Sequence, residues 1–227
     1  MGIEYGVLER ALRRREGVTR NFTWRLLLQG NRPTPHYPIY RDTLLHSLAD
    51  GGLERLRATP FPVLVLMAAP PRLLPVPLAV VVGFTAYTVE RRLRYGRLHP
   101  AAGRRIGFRP AVVDLRTLES AEAVADAVIA SSSTPPFLPV GVHGERPVLD
   151  GGLVDNAPAF LAEGTPGVTR NLILLTRPYP AESVGRRGTR LYLCPTATTP
   201  VNRWHYTRPA LMAETIGKGE GEAGVRG

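Results

Sequence analysis

The sequence holds one cysteine, Cys194, in 227 residues. That excludes an internal disulfide framework and any zinc site built on cysteines. It also holds a single lysine, Lys218, among 29 basic residues. The other cations are arginines, a bias that reads as coding composition rather than as a site. Aromatic residues make up only 7%. Long apolar runs are wanting too. The longest, Leu73 to Val89, is broken by Pro75, Pro77 and Gly83 and falls short of the ~20 residues that cross a bilayer. It reads as a buried helix, so no transmembrane span is expected. The start, Met1-Gly2-Ile3-Glu4-Tyr5-Gly6, has no basic stretch ahead of an apolar core and no Ser or Thr at position 6. Neither a secretory signal nor a myristoylation site is read there. A cytoplasmic protein, at most peripheral to a membrane, is the expectation.

What is present is ordinary globular material. Apolar residues are 44% and charged residues 21%, too apolar for a disordered chain. Proline and glycine together are about a fifth of the sequence, which predicts many turns, but no repeat period accompanies them. The net charge is +10. Charge of that sign suits phosphates, yet the arginines are scattered apart from Arg13-Arg14-Arg15, and no nucleic-acid partner is expected.

Periodicity predicts helices over 3–16, 42–49, 78–93 and 117–131, the last capped by Thr117. Residues 30–40 read as a proline-rich loop. Apolar runs at Phe61–Met67, Leu172–Thr176 and Leu191–Cys194 read as buried strands, with shorter strands at Ala111–Leu115 and Pro147–Leu149. Apolar strands alternating with helices predict an α/β domain around a mostly parallel sheet. No linker is visible. Residues 1–216 are read as one domain and 217–227 as a disordered tail.

Chemistry concentrates in Ala130-Ser131-Ser132-Ser133-Thr134-Pro135-Pro136-Phe137-Leu138-Pro139, followed by Asp150-Gly151-Gly152-Leu153-Val154-Asp155-Asn156-Ala157-Pro158. A helix ends in small hydroxyl residues and turns on two prolines. A short strand then delivers Asp150 to a Gly-Gly turn. Glycines there permit a sharp turn with φ > 0 and leave the carboxylate accessible. A second Asp-Gly-Gly-Leu, Asp50 to Leu53, follows a helical run and reads as a helix stop.

The two elements together, Ala-Ser-Ser-x-x-Pro-x-Phe-x-Pro and Asp-Gly-Gly-x-x-x-Asn-x-Pro, resemble the patatin-like phospholipases. Weaker resemblance runs from Tyr40-Arg41-Asp42-Thr43-Leu44 to Asn202-Arg203-Trp204. The resemblance implies a three-layer α/β fold and hydrolysis of lipid acyl esters by a serine–aspartate dyad. Asp150 would be the base, accepting the serine proton and returning it to the leaving group. Gly151, Gly152, Asn156 and Pro158 would support the turn, and Ser131, Ser132 and Pro136 would shape the site. The implied partner is a lipid ester or a membrane-surface substrate. Neither cofactor nor metal is implied.

The family pattern also includes a Gly-x-Ser-x-Gly turn and a glycine-rich oxyanion loop. None of Ser47, Ser120, Ser131, Ser132, Ser133 and Ser183 has glycine at both second-neighbour positions, and no Gly-Gly-Gly occurs. The chain opens in a helical stretch. It is therefore expected to be the C-terminal two-thirds of such a domain, with the first strands missing. The five histidines show no metal-ligand spacing and are read as surface or structural, and Cys194 as a buried small hydrophobe. The alternative reading is an inactive remnant that binds lipid or a membrane surface through its apolar 73–89 stretch and its arginines.

Overall fold

The computed structural model describes residues 36–201 and 209–226. The helix expected over 3–16, the loop as far as residue 35, and residues 202–208 lie outside them. The chain divides into two compact units, whose described parts are residues 36–167 and residues from 168 onward.

The first unit opens with helix α1, His36–Leu48. It takes in the His-Tyr-Pro-Ile-Tyr stretch expected as loop, because Pro38 falls in the first turn, where a missing N–H costs nothing. Asp50 (φ 51°) and Gly51 (φ 80°) turn the chain into helix α2, Gly52–Arg57. The amide of Gly52 donates to Ala49 O at 2.9 Å. The first Asp-Gly-Gly is thus a corner between helices, as its sequence context predicts.

Strand β1, Leu64–Ala69, follows, then helix α3, Val76–Leu93, the short helix α4, Ala102–Arg105, and strand β2, Arg109–Asp114. A single 3-10 turn, Leu115–Thr117, precedes helix α5, Ala121–Ala130. Its cap is Ser120, whose hydroxyl accepts from Ala123 N at 3.1 Å, and not Thr117. The Thr117 hydroxyl instead donates to Asp114 O at 2.8 Å, inside that turn. Strands β3, Gly141–His143, and β4, Arg146–Asp150, form a hairpin. Gly144 and Glu145 join them with φ of 53° and 64°, the sign pattern of a tight primed turn. Helix α6, Ala159–Glu163, closes the unit.

The sheet order is β2-β1-β4-β3, and every pairing in it is antiparallel. The expectation of a mostly parallel sheet is corrected here. Apolar runs suggest parallel strands because such strands are covered on both faces, but this antiparallel sheet is covered on both faces too. Alternating side chains of β1 and β4 enter different cores. Met67 and Val148 pack with Leu56 of α2 and Val124 and Ala130 of α5. Ala68 and Leu149 pack with Ala79 of α3, Phe108, Leu153 and Val154.

The second unit holds strands β5, Asn171–Leu174, β6, Gly185–Arg187, and β7, Arg190–Leu193, in the order β5-β7-β6. The β5–β7 ladder is the parallel pairing among the described strands. Leu172 and Leu174 are exposed while Asn171 is buried, so β5 is not the enclosed strand its apolar run suggested. Cys194, just past β7, is half-buried rather than enclosed. The final helix α7, Pro209–Arg226, includes residues expected to form a disordered tail. Side chains fasten it to the preceding loop: Glu222 accepts from the amide and hydroxyl of Thr196, and Lys218 Nζ donates to Thr198 O. Among the described residues, no helix is long and apolar enough to cross a membrane.

Candidate functional site

Strand β4 is held on one side by β1, where Asp150 lies opposite Met67. It therefore delivers Asp150 at its C-terminal end in a fixed register. The Asp150 carboxylate accepts from Gly152 N at 2.7 Å through Oδ1. That bond restrains the orientation of the carboxylate. Residues Gly151–Leu153 form a 3-10 turn directly after it.

The two glycines are required, but not for the reason the sequence suggested. Neither has positive φ. At Gly151 a Cβ would stand 2.3 Å from Leu66 O, so the turn lies against the backbone of β1 and any side chain would drive it off. At Gly152 a Cβ would stand 2.9 Å from Asn156 Oδ1 and 3.0 Å from Asp150 Oδ1. Close approach, rather than left-handed backbone, is what excludes larger residues.

The serine element reaches the aspartate through its backbone. Asp150 N donates to Ser133 O and Gly151 N to Ser131 O, both at 3.0 Å. The Ser131 hydroxyl points the other way and donates to Val128 O at 2.6 Å, ending α5. Ser132 O accepts from the Thr134 hydroxyl at 3.3 Å. Ser133, which the motif did not single out, is fully buried. Its hydroxyl donates to Pro139 O at 2.5 Å and accepts from Gly141 N at 3.2 Å. Pro136 follows a cis peptide bond from Pro135, in the turn between this element and β3. Structure thus brings Ser131, Ser133, Asp150 and Gly151 into one clamp.

Asn156 Oδ1 accepts from the Tyr87 hydroxyl of α3 at 3.3 Å. Pro158 caps α6, its carbonyl accepting from Leu161 N. Between these lies Asp155, at a position the motif leaves open. It is buried, accepts from Ala157 N at 2.9 Å, and meets His99 Nδ1 at 2.8 Å and Arg104 Nη2 at 3.9 Å. A carboxylate only accepts, so His99 Nδ1 carries the proton of that bond. This pairing was not legible in the sequence, because the two residues are far apart in it.

Further support comes from α4. A Cβ at Gly103 would stand 1.9 Å from Leu153 O, and Arg104 Nε donates to Val154 O at 3.3 Å. The start of α4 is fixed in turn by Glu90 of α3, which accepts from Ala101 N at 2.9 Å, Ala102 N at 2.7 Å and Arg97 Nη1 at 2.9 Å. Burial opposes the charge on Glu90. The amides of Ala102 and Ala101 and the cations Arg97 and Arg105 outweigh it, and hold the carboxyl below its ordinary range. No group of three or more His, Cys, Asp or Glu able to hold a metal occurs among the described residues.

What has been assembled is a carboxylate at a strand end, aimed by a backbone amide and braced by α3, α4 and the serine element. A group so held can take a proton from a hydroxyl and return it. The family model of patatin-like phospholipases matches residues 4–163, a stretch that contains every element of this site. No curated protein and no solved structure gives a significant match. With well over half of its length matched and the Asp150 to Pro158 turn inside the match, the chain belongs to the patatin-like phospholipase family.

Proposed function

We propose that this domain hydrolyses acyl esters of lipids, with Asp150 as the general base. In this reading a serine hydroxyl attacks the ester carbonyl while Asp150 takes its proton. The same proton then goes to the leaving alkoxide, and water repeats the sequence on the acyl-serine. The observation that supports it is the Asp150 carboxylate at the end of β4, with Oδ1 held by Gly152 N at 2.7 Å. The nucleophile is not among the six serines of this sequence. Ser131 and Ser133 are occupied in bracing the turn.

The test is hydrolysis of a short-chain p-nitrophenyl ester and of a fluorogenic phospholipid. It is run on this chain and on the chain extended by the codons upstream of Met1, each with Asp150 and with Asp150→Ala. The chain alone is expected to show no turnover above background. An extension carrying Gly-x-Ser-x-Gly is expected to turn over, and to lose about 10³-fold or more in Asp150→Ala. Turnover that survives Asp150→Ala would overturn the assignment.

A further inference from the structure

Helix α3 has two unlike faces. Ala79 and Gly83 are buried, Tyr87 reaches Asn156, and a Cβ at Gly83 would stand 2.8 Å from Phe108. On the opposite side Leu78, Val81, Thr85, Val89 and Arg92 recur at three- and four-residue spacing and all are exposed. Val81 is 62% exposed; Leu73, just before the helix, is 96% exposed, and Leu93 and Tyr95 at its far end are 79% each. The run read from sequence as a buried helix therefore carries an outward apolar stripe, about 27 Å long at 1.5 Å per residue.

The exposed charges within residues 72–95 are all of one sign. Arg72 stands before the helix, and Arg91, Arg92 and Arg94 stand at its end, all exposed. Between residues 72 and 95 the sole acidic residue is Glu90, and its side chain, 9% exposed, is drawn inward to Arg97 and the start of α4. An apolar stripe edged by arginines, with an exposed tyrosine at one end and its acid withdrawn, is complementary to a surface with an apolar interior and anionic headgroups.

We infer that the outer face of α3 is a docking surface for anionic lipid bilayers, with Leu78, Val81 and Val89 entering the interface and Arg72, Arg91, Arg92 and Arg94 meeting the headgroups. The helix lies in the plane of the interface rather than across it. Docking needs neither Asp150 nor a nucleophile, so it and the proposed hydrolysis can fail independently.

The test is sedimentation of the whole chain with vesicles of phosphatidylcholine, alone or with one quarter phosphatidylglycerol. Because the chain carries +10 overall, bulk attraction must be separated from docking. Val81→Asp/Val89→Asp is therefore compared with Val142→Asp/Leu174→Asp, which changes charge equally at two exposed apolar residues elsewhere. Circular dichroism confirms that each variant is folded. The expected result is binding to anionic vesicles that drops about tenfold or more in the α3 variant and stays near wild type in the control. Arg92→Gln/Arg94→Gln, which leaves the stripe intact, is expected to weaken binding and flatten its salt dependence. Equal loss in both aspartate variants, or no binding, overturns the proposal. So does a concentration-dependent dimer abolished by Val81→Asp/Val89→Asp, which would give the stripe to a second copy of the chain.

Discussion

Ser133 is buried, hydroxyl-bearing and one residue from the pair that the motif marks. Its hydroxyl joins Pro139 O to Gly141 N, and its carbonyl receives Asp150 N. Ser133→Ala removes the first two bonds and leaves the half-buried Gly141 amide and Pro139 carbonyl without that partner. The expected cost is about 1–3 kcal/mol, read as a lower urea midpoint with unchanged far-ultraviolet circular dichroism. Ser132→Ala is expected to cost less, since its hydroxyl is not part of that bridge. The aspartate was legible because its chemistry is local: an acid, two glycines, an asparagine and a proline at fixed spacing. The work of Ser133 depends on burial, which three consecutive serines do not reveal. The glycines show the same division. Their necessity was readable, but the reason, the carbonyl of Leu66 2.3 Å from a Cβ at Gly151, belongs to a strand over 80 positions away.

Among the elements, helices α3 and α5 and part of α1 were legible, while α2, α4, α6, α7 and the polarity of the strands were not. The pattern of α3 and α5 is carried by periodicity within one segment. The direction of β1 against β2 and β4 is set by the connections between them, and an apolar run is the same in either direction. Helix α4 is four residues long and has no periodic signature, yet it touches the turn at its closest point. Gly103→Ala would place a methyl 1.9 Å from Leu153 O. Helix α4 must then move away from the 3-10 turn, at an expected cost of about 1–3 kcal/mol. In an active, serine-bearing form, the readout is a fall in kcat larger than the change in KM, because the turn that aims Asp150 is displaced. Gly217→Ala, also in a helix, with no positive φ and no atom within 4 Å of the added Cβ, separates crowding from the general loss of a glycine.

For the molecule as a whole, acid is the informative variable. Glu90 is held below its ordinary range against the opposing effect of burial. Asp114 is held low as well, first by its side-chain bond to Arg116, which outweighs burial, and then by the amides of Arg116 and Val63. A carboxyl whose pKa is depressed by folding binds fewer protons folded than unfolded. It stabilises above the ordinary carboxylate range and loses that contribution as pH falls through this range toward the folded value. The urea midpoint is therefore expected to be steady near neutral pH and to decline below about pH 5. Glu90→Gln and Asp114→Asn are each expected to lower the midpoint at pH 7 and to shrink its difference from pH 3. An undiminished pH dependence in the double variant would contradict these assignments.

Helix α3 has the exposed stripe on one side and Tyr87, bonded to Asn156, on the other. A helix of 18 residues moves largely as a rod, so its two sides cannot respond independently. Reciprocity follows because binding free energy is a state function. If seating the stripe on lipid tightens an acyl ligand at the Asp150 turn by some factor, that ligand must tighten the protein's hold on lipid by the same factor.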